Sequence, residues 1–296
     1  MSQIARDHHF VPQSYLAGFT DTGTVDGRLC VYDFVAERFF RQKPKNVAFE
    51  VNFNRINVDG HPPDALEKAF GEFEGNAAAV IRRIYRSGEL PADEDFSYVL
   101  NLIALLPTRN PRMRARRHAA RVIGDLLIAD RRTYEHHVAE APRAGCISGA
   151  DVPYGRMKGF ISRDDYAIAI STDEHLRGEL RVFERILESL GTRYWSLLVA
   201  APDAPDLITC DHPANLVPKQ ITFPLDARHA IIGARGTPQP ARLVASQKGI
   251  AEVNMRMINQ ADRQIYSRTP EVQILVRDDV VTLDLERPVG CRIDTK

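Results

Sequence analysis

Apolar positions change their spacing twice along the chain, and the changes divide it into three stretches. Between 63 and 86, Leu66, Ala69, Phe70, Phe73, Ala77, Val80, Ile81 and Ile84 recur with a period of about 3.6, the signature of a helix with one buried stripe. Asp64 stands where a cap belongs and Gly88 where such a helix should end. "DEDFSYVLNLIALLPTRN" predicts a second helix, with acids in its first turn and a stop near Pro107. A third, longer helix is predicted over 111–140, with Pro111 in its first turn. "APRAGCISGADVPYG" reads as a loop, and "SRDDYAIAI" and "TDEHLRGELRVFERILESLG" as helical again.

On either side of this stretch the pattern is that of strands. "GRLCVYDFVAERFFRQ" predicts a hairpin with strands at 28–34 and 38–41, and "NVAFEVNFN" a further extended piece. After 192 come short apolar runs, "RYWSLLVA", "LITCD", "ITFPLD", "HAIIGA", "VQILVR" and "VVTLDL", interrupted by one helix, "KGIAEVNMRMINQADR". The predicted class is α+β: an N-terminal β-hairpin, a helical middle over about 63–190, and a C-terminal mixed or antiparallel sheet over about 192–296, within a single domain spanning 1–296.

Composition adds exclusions. Lys plus Arg and Asp plus Glu each number 39, so overall charge argues neither for nor against nucleic acid. No apolar run reaches the roughly 20 residues that cross a bilayer, and the first residues lack a secretory signal's apolar stretch. Cys30, Cys146, Cys210 and Cys291 lie far apart without a Cys-x-x-Cys pair, which points to reduced thiols and a cytoplasmic location. Gly-rich phosphate loops, the G-x-S-x-G elbow and H-E-x-x-H are all missing.

Four segments carry residues suited to chemistry. In "DHHFVP", a neutral imidazole of His8 or His9 could ligate a metal or move a proton, while Asp7 orients one ring. On an extended segment the two rings point to opposite faces, so at most one faces a given site. The bland reading is an arm anchored by Phe10, Val11, Tyr15, Leu16 and Phe19. Glu67 and Glu74, seven residues apart on the first helix, lie along one line at the edge of its apolar stripe. They could bind metal, act as acid or base, or pair with arginine; a solvated flank is the alternative. "TRNPRMRARRHAAR" carries six arginines from Arg109 to Arg121, which either grip phosphates or serve solubility. Arg109 differs, because it sits in the bend between Pro107 and Pro111, where a buried pairing with Glu67 or Glu74 is expected. In "LITCDHPANLV", Asp211 closes a short strand before the turn at His212-Pro213, either as a catalytic carboxylate or as a turn cap. His136 and His137 read as surface residues.

Taken in order, "HHFVPQSYLAGF", "GRLCVYDF", "KPKNVAFE", "LEKAFGEFEGNAAAVI", "TRNP", the Trp195 strand, "TCDHP", "FPLD" and "INQADRQIYS" resemble an uncharacterised, mostly bacterial domain-of-unknown-function family, number 4238. The resemblance covers nearly the full chain and implies a common fold without an agreed activity. His212 stands where asparagine is common in that pattern. The resemblance groups His8, His9, Gln13, Glu67, Glu74, Arg109 and Asp211 as candidates for one pocket.

On that grouping the expected function is a metal-dependent hydrolase, with a phosphodiester or nucleic-acid substrate. His8, His9, Glu67 and Asp211 would be catalytic; His9, Glu74 and Asp211 would hold a divalent metal ion; Gln13 and Arg109 would bind the phosphate. A narrower version, a His-Asn-His nuclease, would draw on Asn52 and His61, although prolines 62 and 63 disfavour a helix interior there. The alternative is a non-catalytic binding or defence-associated protein in which the same residues form a buried ion-pair network. A third class is a metal-free small-molecule enzyme with Asp211 as base.

Overall fold

The computed structural model describes residues 7–51, 53, 62, 64–92, 94–111, 130–140, 153–163, 172–236 and 238–287. Asn52, His61, the arginines at 112–121, Cys146 and Cys291 lie outside the described residues. The chain forms two compact units, one of residues 1–110 and 177–296, the other of residues 111–176.

In the larger unit the predicted elements take shape close to their expected bounds. Strand β1 (Asp7–His9) pairs antiparallel with β4 (Phe49–Val51), and β2 (Leu29–Asp33) forms a hairpin with β3 (Arg38–Gln42). Glu37 takes the positive φ that closes this tight turn. Helix α1 (Gln13–Leu16) is a single turn between β1 and β2. Helix α2 (Ala65–Ser87) buries Ala77, Val80, Ile81 and Ile84, the expected stripe, and ends at Gly88 in the left-handed region. Asp64 occupies the cap position but makes no capping bond there; its carboxylate pairs instead with Lys68 at 3.1 Å. Helix α3 (Phe96–Thr108) carries Pro107 in its last turn and stops at Arg109.

The smaller unit corrects one expectation. The predicted helix over 111–140 is not continuous: Asp130 is non-helical, and its Oδ1 accepts the backbone N–H groups of Arg132 and Thr133. That is an N-cap, and a new helix, α4 (Arg131–Glu140), starts there. His136 is exposed on it, and Tyr134 sets its ring 5.7 Å from Tyr154 of α5 (Tyr154–Ile161).

Helix α6 (Thr172–Gly191) leads into a five-stranded sheet in the order β10-β5-β9-β8-β7. Its strands are β5 (Tyr194–Ala200), β7 (Asn215–Leu216), β8 (Gln220–Pro224), β9 (His229–Ala234) and β10 (Arg242–Ala245). Only the β10–β5 pair is parallel. A second sheet, ordered β3-β2-β11-β6, joins the N-terminal hairpin to β6 (Thr209–Cys210) and β11 (Gln264–Ser267). The hairpin is therefore part of a sheet completed only by residues from Thr209 onward. Helix α7 (Gln247–Gln260) and the hairpin β12 (Glu271–Val276)–β13 (Asp279–Asp284) close a second core around Ile208, Met257, Ile258, Ile265, Val272 and Ile274.

The main core shows why the N-terminal arm stays in place. Val11, Tyr15, Leu16 and Phe19 are all buried among residues of α2, α3, β2, β8 and β9. Tyr15 stacks on Phe223 at 5.1 Å; its hydroxyl donates to the Pro224 carbonyl at 2.9 Å and meets Thr209 Oγ1 at 2.8 Å. A buried hydroxyl needs such partners, and these tie the arm to both sheets.

Candidate functional site: a buried polar network at the arm

The arm enters as strand β1, whose pairing with β4 sets His8 opposite Glu50 and His9 opposite Phe49. Alternation sends the two rings to opposite faces, yet both are buried. The His9 ring lies 5.6 Å from Phe49, and Gln13 Nε2, one turn into α1, lies 3.4 Å from His9 Nδ1. His9 Nε2 is buried and has no hydrogen-bond partner among the described residues. Burial holds the His9 pKa below its ordinary value, and the charge of Arg109 acts in the same direction. The Lys45 backbone, Glu67 and Asp7 act against it. Near neutral pH the ring is therefore an uncharged imidazole.

Across from the arm, α2 presents Glu67, Phe70 and Glu74 at spacings of three and four residues, hence on one face. Into that face reaches Arg109, which is only 1% exposed. Nη1 donates to Glu74 Oε1 and Nη2 donates to the His9 carbonyl. The guanidinium lies over the Phe70 ring at 4.2 Å. Of the two glutamates, Glu74 is thus the partner of Arg109. Burial pushes the Glu74 carboxyl up, Arg109 pulls it down, and Glu67 pushes it further up. A buried guanidinium needs a counter-charge, and a planar one can also serve a carbonyl and an aromatic face. One side chain so holds β1, α2 and the end of α3 together.

The next residue, Asn110, works toward the other side of the bend. Its Nδ2 lies 3.1 Å from His212 Nδ1 and makes a long bond, 3.4 Å, to the Asp211 carbonyl. The Asp211 carboxylate itself is occupied by backbone. Oδ1 accepts from Asp262 N at 2.9 Å, and Oδ2 accepts from Arg263 N at 2.7 Å and Gln264 N at 3.0 Å. Burial pushes Asp211 up to about 6 against the pull of those three bonds. They fix the turn between α7 and β11.

His9, Gln13, Glu67, Glu74 and Arg109 are thus brought into one cluster. His8 is buried on the opposite face of β1, and Asp211 locks a neighbouring turn that reaches the cluster through Asn110. Among the described residues, no group of three or more His, Cys, Asp or Glu side chains is placed to hold a metal ion. No described helix is long and apolar enough to cross a membrane.

Sequence reasoning missed several members of the polar framework. Asn110 stood inside the "TRNP" bend without a distinguishing signal. Asp33, fully buried, accepts from Val35 N, Ala36 N, Arg263 Nε and Gln264 Nε2. Asn254 satisfies Ile208 N, Asp206 O and Gln273 O. Apart from the local turn bonds of Val35 and Ala36 to Asp33, their partners lie 19 to 231 residues away, where no local spacing could reveal them.

The fold is α+β, and its polar interior is a connected network of ion pairs and side chain to backbone bonds. No curated protein and no solved structure matches the chain. A family model does match, over residues 7–271, nearly all of the segments just described: the chain belongs to the family described as Protein of unknown function (DUF4238).

Proposed function

We propose that this is a non-catalytic binding protein in which His9, Gln13, Glu67, Glu74 and Arg109 act as a buried clamp on the N-terminal arm. The observation that carries the reading is the commitment of Arg109: both terminal nitrogens are bonded within the protein and its face is covered by Phe70. With both terminal nitrogens engaged and the remaining Nε buried, though without a partner among the described residues, the guanidinium shows no edge to a phosphate in solvent. The Asp211 carboxylate is likewise spent on three backbone N–H groups. A cytoplasmic location fits Cys30 and Cys210, which are free, buried thiols.

A second reading keeps the hydrolase, on the strength of one feature: His9 Nε2 is buried, unpartnered among the described residues and electrostatically coupled to Glu67. In that reading His9 and Glu67 do acid–base work, aided by His8 and Asp211. His9, Glu74 and Asp211 hold a divalent ion, and Gln13 and Arg109 receive the phosphodiester or nucleic acid.

Equilibrium dialysis against Mg2+, Mn2+ and Zn2+, paired with a chromogenic phosphodiester assay, separates the two. The clamp predicts no saturable metal binding, no turnover, and a lower melting temperature for His9→Ala and Glu74→Gln. Metal-dependent turnover lost in a folded His9→Ala variant refutes the clamp and establishes the hydrolase.

A further inference from the structure

A different part of the larger unit carries charge that the protein does not neutralise. In the five-stranded sheet, Ala234 at the end of β9 pairs with Tyr194 at the start of β5 and with Gln220 at the start of β8. One step outward along the same register stand Arg193, Arg235 and Lys219, a cation just beyond the end of each of three adjacent strands. Neighbouring strands lie about 4.8 Å apart. Like charges placed opposite one another across a strand pair destabilise it.

Elsewhere in this electrically balanced chain some exposed cations, such as Arg28, Arg82 and Arg277, also have no ion pair among the described residues, whereas others are paired. Lys43, Lys68, Arg83, Lys248 and Arg256 each meet a carboxylate. Among the described residues, none of the three in the row is ion-paired to one.

The three cations also differ in a way that suits a ligand. Arg193 is 8% exposed and fixed: Nη1 donates to the Gly233 carbonyl at 3.3 Å and Nη2 to the Pro218 carbonyl at 3.2 Å. Its Nε is buried without a partner among the described residues. Burial and the neighbouring charge of Arg235 both bear on Arg193, but a guanidinium keeps its proton in a protein. It supplies a positive charge whose position is fixed by these two bonds. Arg235 and Lys219 are exposed, and Arg235 Nη2 is held 3.1 Å from the Ser189 hydroxyl.

We propose that the Arg193–Arg235–Lys219 row is a binding site for a compact phosphate-bearing ligand such as a diphosphate. Arg235 and Lys219 make the direct contacts, Ser189 helps to position Arg235, and Arg193 provides the field beneath. The row spans two strand spacings, about 10 Å, which matches one or two phosphates. Three cations in so short a span suit a dense multiple charge better than dispersed single carboxylates.

The inference gives the binding reading its ligand class, and in that sense rests on it. The test is calorimetric titration of inorganic pyrophosphate into the full chain at constant ionic strength, with wild type, K219Q/R235Q and K248Q as a control on another surface cation. Wild type and K248Q are expected to bind saturably and equally, and K219Q/R235Q at least tenfold more weakly. Without ligand, the double variant should melt close to wild type, because it removes two exposed, mutually repelling charges and one exposed hydrogen bond to Ser189. Absence of saturable binding by wild type, or equal binding by the double variant, overturns the site. A short single-stranded oligonucleotide bound in preference to pyrophosphate overturns the compact ligand. Phosphorus NMR of the recovered pyrophosphate keeps the two proposals apart: hydrolysis refutes the non-catalytic reading while leaving the site standing.

Discussion

Replacing Arg109 by alanine tests the clamp most directly. The substitution removes the counter-charge of Glu74, the donor to the His9 carbonyl and the cation over Phe70 at once. The pair is well shielded, with side-chain exposures of 2% and 17% for Arg109 and Glu74, so solvent screening offers little relief. Breaking a buried ion pair by deleting one partner costs about 3–5 kcal/mol. A domain's whole stability is typically about 5–15 kcal/mol, so R109A should unfold at markedly lower urea. Removing both charges is a different perturbation: R109M/E74L leaves no orphaned carboxylate and should recover most of that loss, short of the roughly 1–3 kcal/mol for the stranded His9 carbonyl.

Trp195, the chain's single tryptophan, sits on β5 of the larger unit, and its fluorescence during urea unfolding reports on that unit. The quantity to extract is the coupling energy of the cycle built from R109M, E74L and the double variant. A network predicts a coupling of about 1.5–3 kcal/mol, at the upper end for neighbouring residues. Additive single effects, or a loss below about 1 kcal/mol for R109A, a cost typical of a surface pair, would refute the clamp.

Other expectations follow from the same geometry. Tyr15→Phe keeps the stack on Phe223 but strands Thr209 Oγ1 and the Pro224 carbonyl, for a loss of about 1–3 kcal/mol by urea unfolding. Because the folded pKa of His9 lies below its unfolded value, the unfolded state takes up the proton first. The associated stability is therefore complete above about pH 6.5 and is lost as pH falls through that value; His9→Gln should flatten this part of a pH–stability curve. Asp211 has the opposite slope: its carboxyl, raised to about 6, adds stability as pH falls from about 6 toward the unfolded value near 4. Gly233→Ala would set a methyl 2.7 Å from the Trp195 ring, so the ring must shift, at about 1–3 kcal/mol and with a changed emission spectrum.

Local signals in the sequence were strong enough to place most elements. The α2 stripe, the left-handed stop at Gly88 and the β2–β3 turn are settled by residues within a few positions of one another. The break at Asp130 was hidden because a helical pattern and an N-cap aspartate coexist in "LLIADRRTY". Short strands such as β7 and β11 went unread because they are held by partners, not by their own pattern. Of the site, the residue types and the Arg109–glutamate pairing were legible. The backbone commitments of Asp211 were not, since an aspartate before a turn looks the same whether it faces solvent, a metal or three N–H groups.

The same distinction bears on how the polar residues divide their labour. Arg109 and Asn110 are adjacent, yet one reaches the arm and α2 and the other the turn that Asp211 fixes. Two consecutive side chains of one bend thereby couple an N-terminal strand to a turn a hundred residues beyond the bend. Buried charge held this way is costly to assemble and adds less stability than apolar packing of equal volume. What it adds is geometric: a guanidinium at the end of one element with three partners on two others tolerates one arrangement of them. The row at Arg193, Arg235 and Lys219 has the opposite character, with two exposed cations left unpaired above a fixed one. Satisfied charge defines the scaffold here, and unsatisfied charge at the sheet's end is where an outside anion is to be sought.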